Sequence, residues 1–134
     1  MMENITSGLL WAIFGHVRSW LANLSRAGDA RKQQSVRALR NIITASRETA
    51  VYLRQLKENG SRSHKTESHL AVLWTDLGFA LEDLGIDKLA KRCHISGRYW
   101  SDPGHYSADF IEQADVSLER MEQLARSILA QIRH

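Results

Sequence analysis

Leu9, Leu10, Ile13, Phe14, Val17, Trp20, Leu21 and Leu24 recur at the three- and four-residue intervals of a broad helical face, predicting a first helix from about Thr6 to Ser25. Thr6 or Ser7 is its expected N-cap, and Gly28 breaks it. A second helix is expected from an Asp29 cap to about Glu58, with Val36, Leu39, Ile43, Ala50 and Leu53 in a seven-residue pattern that lapses at Ser46. Ile42, Thr49 and Leu56 widen that stripe, and Asn59-Gly60 ends it with residues that tolerate the left-handed conformation.

After a polar linker over Ser61 to Lys65, the apolar positions Leu70, Leu73, Trp74, Leu77, Leu81 and Leu84 mark a third helix, ended by Gly85. Gly78 inside it is a weak helix former, which points to a close helix contact. Asp87 is the expected cap of a short helix through Leu89, Ala90, Cys93 and His94. Pro103 disfavours helical backbone just before it, so Trp100 to His105 is expected to be a turn. Ser107 then caps a last helix along which Ile111, Ala114, Leu118, Met121, Ala125, Ile128 and Ile132 hold the same alternation, with Asp109 near the positive end of its dipole. The fold class is therefore all-α, an up-and-down bundle of four long helices with one additional short helix before the last.

Length supports one hydrophobic core: 134 residues are expected to form a single domain over 1–134. With 43% hydrophobic and 25% charged residues, the composition excludes a wholly disordered chain. Cys93 is the only cysteine, which rules out an intrachain disulfide and a Cys₄ or Cys₂His₂ zinc site. His16, Arg18 and Asn23 interrupt the apolar stretch from Leu9, so no membrane span is expected, and a cytoplasmic location follows as the expectation. His64, His69, His94 and His105, with Cys93 and Asp102, lack metal-ligand spacing on any one element; they are read as surface histidines, with no metal and no cofactor. Cys93 itself is read as a small buried core residue, despite Lys91, Arg92 and His94 beside it.

Net charge is only +3, but its distribution is uneven. The second helix carries a net +4, and Arg40, Arg47 and Arg54, seven residues apart, line one edge as a ridge of about 20 Å. On the last helix Glu112, Asp115, Glu119 and Glu122 form an acidic edge. Such edges flank helix seams in coiled coils. If the two helices lie diagonally, the edges meet between chains, which predicts a homodimer. Solvated helix faces are the plain alternative, and phosphate contacts along the arginine ridge, hence nucleic-acid binding, are another.

Two further surfaces are candidates for an unidentified protein partner. Trp11, Phe14 and Trp20 make the first helix broadly aromatic, with core packing expected before docking. Arg98, Tyr99, Trp100, Asp102, His105 and Tyr106 around Pro103-Gly104 have the composition of an interaction hot spot, or else Trp100 and Tyr106 plug the end of the bundle and Asp102 caps a turn.

Arg98 and His105 also stand as Arg-x₆-His, a spacing that Arg62 and His69 repeat. The pair resembles the Arg-x₄₋₆-His of the HEPN family of small helical ribonucleases. That resemblance covers fold class and two residues, departs from the family at Tyr99 and at Pro103-Gly104, and implies a two-chain site with His105 as acid or base and Arg98 stabilising the phosphate. No phosphate-binding glycine loop or nucleophile elbow is present, so a non-enzymatic interaction module is the leading expectation.

Overall fold

The computed structural model describes residues 20–24, 26–106 and 108–132, with the side chains of all of these but 108–117. Among these residues the chain is an all-α bundle of five helices. Residues 20–24 belong to α1. They are followed by α2 (Asp29–Asn59), α3 (His64–Asp83), α4 (Asp87–Ser101) and α5 (Ala108–Ile132), with a single 3₁₀ turn, Pro103–His105, between the last two. The expected caps Thr6, Ser7 and Ser107 lie outside the described residues.

Helix boundaries follow local chemistry, with several departures from expectation. Gly60 ends α2 at φ 69°, and its N–H bonds Leu56 O as a C-terminal cap requires. Gly85, at φ 81°, turns the chain after α3. Asp29 and Asp87 are the first residues of their helices rather than the caps, which are Gly28 and Ile86. Their carboxylates sit where the positive end of the dipole favours them without a cap hydrogen bond. The polar linker is shorter than expected, because Ser63 Oγ accepts the Thr66 N–H at 3.2 Å and starts α3 at His64. Trp100 and Ser101 are helical, so the turn begins only at Asp102, whose N–H closes α4 on Arg98 O and Tyr99 O.

The helix faces explain the layout. α2 and α3 form an antiparallel hairpin, with Glu48 beside His69 and Thr49 beside Trp74. α4 returns along α3 with glycine at both close approaches: a Cβ on Gly78 would fall 2.7 Å from the His94 ring, and one on Gly97 would fall 2.3 Å from Thr75 Oγ1. The other flank of α2 is taken by α5. The two charged edges therefore do not lie diagonally across the bundle. Packing on two sides also shifts the buried row of α2 to Ser35, Ala38, Leu39, Ile42, Ala45, Ser46, Thr49, Tyr52 and Leu53, while Val36, Ile43 and Ala50 are only partly covered. Small and hydroxyl side chains permit that double contact.

Leu118, Met121, Ala125 and Ile128 of α5 join Trp74, Leu77, Leu81 and Leu89 in the core. Burying each large side chain contributes roughly 1.5–3 kcal/mol. Where α3 turns into α4, the Leu84 carbonyl accepts both Trp20 Nε1, at 2.8 Å, and Arg31 Nη2, at 2.9 Å. That oxygen ties α1 and α2 to the elbow. No helix among the described residues is long and apolar enough to cross a membrane.

Candidate functional site

The opposite end of the bundle combines aromatic and polar side chains. Tyr52, near the C-terminus of α2, donates its hydroxyl hydrogen to Glu67 Oε2 and accepts the Ser63 N–H at 2.8 Å. Glu67 is buried in the first turn of α3 and pairs with Arg62 Nε at 3.0 Å. Tyr99, reaching in from α4, hydrogen-bonds Arg62. Four side chains from α2, the α2–α3 connection, α3 and α4 thus satisfy one another, which is the condition for burying a carboxylate at tolerable cost.

The environment shifts these groups as their contacts require. Burial raises the Tyr52 phenol above its usual range, and its bond to Glu67 adds to the rise. Burial also raises Tyr99, against the opposing pull of Arg62. For Arg62 itself, burial lowers the pKa, but the Glu67 charge and the Tyr99 hydroxyl leave it above its ordinary value. The guanidinium is therefore held charged.

Aromatic rings extend the cluster. Trp100 meets Tyr52 edge-on at 5.6 Å and Tyr99 at 4.8 Å, and Tyr106 closes over Tyr99 at 5.5 Å. Beside them lies a cleft of about 830 Å³ whose lining includes Arg62, Ala71, Val72, Trp100, Asp102 and Pro103. The lining mixes these apolar side chains with charged and hydroxyl groups, Glu67 and Ser68 included.

The residues expected around Pro103 divide between interior and surface. Tyr99 and Trp100 are buried, whereas Arg98, Asp102, His105 and Tyr106 are exposed. Trp100 and Asp102 line the cleft. His105 Nδ1 lies 3.7 Å from Asp102 Oδ2, with both side chains largely in solvent. Arg98 stands in the last turn of α4 and His105 in the 3₁₀ turn, so the Arg-x₆-His pair straddles a change of element. Its second occurrence is split in the same way: Arg62 holds Glu67, and His69 bonds Glu48 at 3.0 Å.

Trp20 is in the core; Trp11 and Phe14 lie outside the described residues. Of the charged edges, Arg40, Arg47 and Arg54 are exposed on α2, and Glu119 is exposed on α5. Arg47 Nε meets Glu122 Oε1 at 3.0 Å within the same chain, and Arg126 joins the same carboxylate at 3.5 Å. At this pair, then, the edges meet within one chain, not between two. The side chains of Glu112 and Asp115 are not among those described.

Among the histidines, His94 departs from the surface reading. It fills the space above Gly78, stacks edge-on with Phe79 at 4.8 Å and bonds Glu82 at 2.8 Å. Among the described residues no group of three or more His, Cys, Asp or Glu side chains is placed to hold a metal. Cys93 is a core residue, and burial pushes its thiol up to about 12.

Sequence reasoning missed the Tyr52–Glu67–Arg62 cluster. The signal was present: Glu67 falls in phase with Leu70, Trp74, Leu77 and Leu81, so a carboxylate occupies a core position of α3. No protein-family model, curated protein or solved structure matches the chain significantly.

Proposed function

We propose that the chain is a non-catalytic helical interaction module of the cytoplasm that self-associates and acts by docking protein partners. The observation that carries this reading is the outer face of α3, where Val72 is 58% exposed and Phe79 is 55% exposed one heptad apart. The same helix buries Leu70, Trp74, Leu77 and Leu81 on its other side, so its packing requirement is already met. Two large apolar side chains on one exposed stripe offer a partner helix apolar surface to cover.

The adjoining cleft supports the same reading. Trp100 lines it and is fixed by Tyr52 and Tyr99, so this wall is rigid and little entropy is lost there on docking. Arg62 and Asp102 at the rim provide opposite charges to orient a partner segment. Cys93, the lone thiol, is buried and in keeping with a reducing compartment.

Sedimentation equilibrium of the full chain from micromolar to millimolar concentration tests self-association. The expected result is an apparent mass that climbs from 15.3 kDa toward twice that value. A constant monomer mass over the whole range would remove the homodimer from this reading.

A further inference from the structure

Lys65, Ser68, Val72, Asp76, Phe79 and Asp83 follow one another at intervals of three and four along α3, and every one of them is exposed. They form a single stripe opposite the buried row of the helix. Its charge is polarised along the axis: Lys65 lies in the N-terminal half, and Asp76 and Asp83 lie in the C-terminal half.

This order runs against the helix dipole, which favours acidic groups at the N-terminus and basic groups at the C-terminus. In its last turn α3 has no basic residue, and the acidic residue of its first turn, Glu67, is buried away from this stripe. The stripe is therefore not arranged to stabilise its own helix. It is arranged as an antiparallel copy of itself would require, because a two-fold axis across the stripe sets each basic half against the other chain's acidic half.

We infer that α3 is the homodimer contact, pairing antiparallel with α3 of a second copy so that Val72 of each protomer packs on Phe79 of the other. That register sets Lys65 within one helical turn of the partner's Asp83, an intermolecular pair made twice by symmetry. His69 and Glu82 also come opposite one another, although each already has a partner in its own chain, Glu48 and His94 respectively. The two Asp76 carboxylates fall beside the axis and oppose the association. This inference rests on the homodimer reading above and gives it a surface and a register.

Sedimentation equilibrium on full-length variants tests it, with far-ultraviolet circular dichroism as the control for folding. Phe79→Lys, and Val72→Lys as a second variant, are expected to raise the dimer dissociation constant at least about tenfold. Lys65→Glu and Asp83→Lys are each expected to weaken the dimer by about threefold or more, and the double reversal to restore it. Eighteen residues of helix separate positions 65 and 83, about 27 Å, so that rescue cannot arise within one chain. Asp76→Asn is expected to tighten the dimer.

A chain that stays monomeric overturns both this inference and the homodimer reading. A dimer indifferent to Phe79→Lys and Val72→Lys, or one that the double reversal fails to restore, overturns the α3 pairing alone and leaves self-association standing on another surface.

Discussion

Gly97 of α4 lies so close to Thr75 of α3 that a methyl group on it would stand 2.3 Å from Thr75 Oγ1, 3.2 Å from the Thr75 nitrogen and 3.3 Å from the Ala71 carbonyl oxygen. The hydroxyl can rotate away, but the two backbone atoms cannot. Gly97→Ala is expected to destabilise the bundle by about 1–3 kcal/mol, outweighing the gain in helix propensity. Urea denaturation measures it. For Gly78→Ala the three nearest atoms all belong to the His94 ring, a side chain that can swing out at the loss of its bond to Glu82, so the smaller effect is expected there.

Thr49 is the polar centre of the α2–α3 contact. Its hydroxyl donates to Ala45 O at 2.7 Å and accepts Trp74 Nε1 at 2.9 Å, all of it buried. Thr49→Val keeps the shape but strands the indole N–H, at a cost of about 1–3 kcal/mol. Thr49→Ser is expected to retain most of the stability. Equal losses in the two variants would show that the hydroxyl does not matter.

Glu67 holds the charged end of the bundle together through Tyr52 and Arg62. Glu67→Gln removes the charge that Arg62 faces and weakens the acceptor for the Tyr52 hydroxyl. The expected loss is about 1–3 kcal/mol. Tyr52 ring resonances in an NMR spectrum would report any loosening directly.

Burial of Cys93 makes a prediction about alkaline pH. The thiol is pushed from 9.0 to about 12 in the folded chain, because the thiolate is poorly solvated there. Between those values the unfolded chain has lost the proton while the folded chain keeps it, so the folded state binds more protons and stability falls as pH rises. Tyr52 and Tyr99, both raised from 10.0, steepen the same fall. Cys93→Ala is expected to be less stable at neutral pH, through lost packing, yet to show a shallower decline above pH 9. In the native protein the thiol is expected to resist an aromatic disulfide reagent until the chain unfolds.

The helices were legible in the sequence wherever one face meets one neighbour. Leu118, Met121, Ala125 and Ile128 are spaced for burial and are buried. On α2 the expected Leu39, Ile42, Thr49 and Leu53 are buried, but Val36, Ile43 and Ala50 are only partly covered, because the helix is covered by both α3 and α5 and its centre is filled by Ser35, Ala38 and Ala45, residues that hydropathy does not single out. Which helices adjoin is a property of three-dimensional packing, so the contact of Arg47 with Glu122 in one chain lay beyond a reading of charge spacing. At the aromatic end, the composition singled out the stretch from Arg98 to Tyr106 as one unit. It did not separate Tyr99 and Trp100, which α4 turns inward, from Arg98 on the same helix and His105 in the 3₁₀ turn, which are exposed.

The anchorage at the α3–α4 elbow has a different character from the rest of the molecule. Trp20 and Arg31 both converge on a main-chain oxygen, that of Leu84, and every residue type supplies such an oxygen. Replacing the Leu84 side chain thus cannot delete the acceptor, and only the two donors are open to genetic control. Losing either donor leaves the carbonyl with the other, so the hydrogen bonding of this junction is shared, although loss of Trp20 also removes a buried side chain from the core.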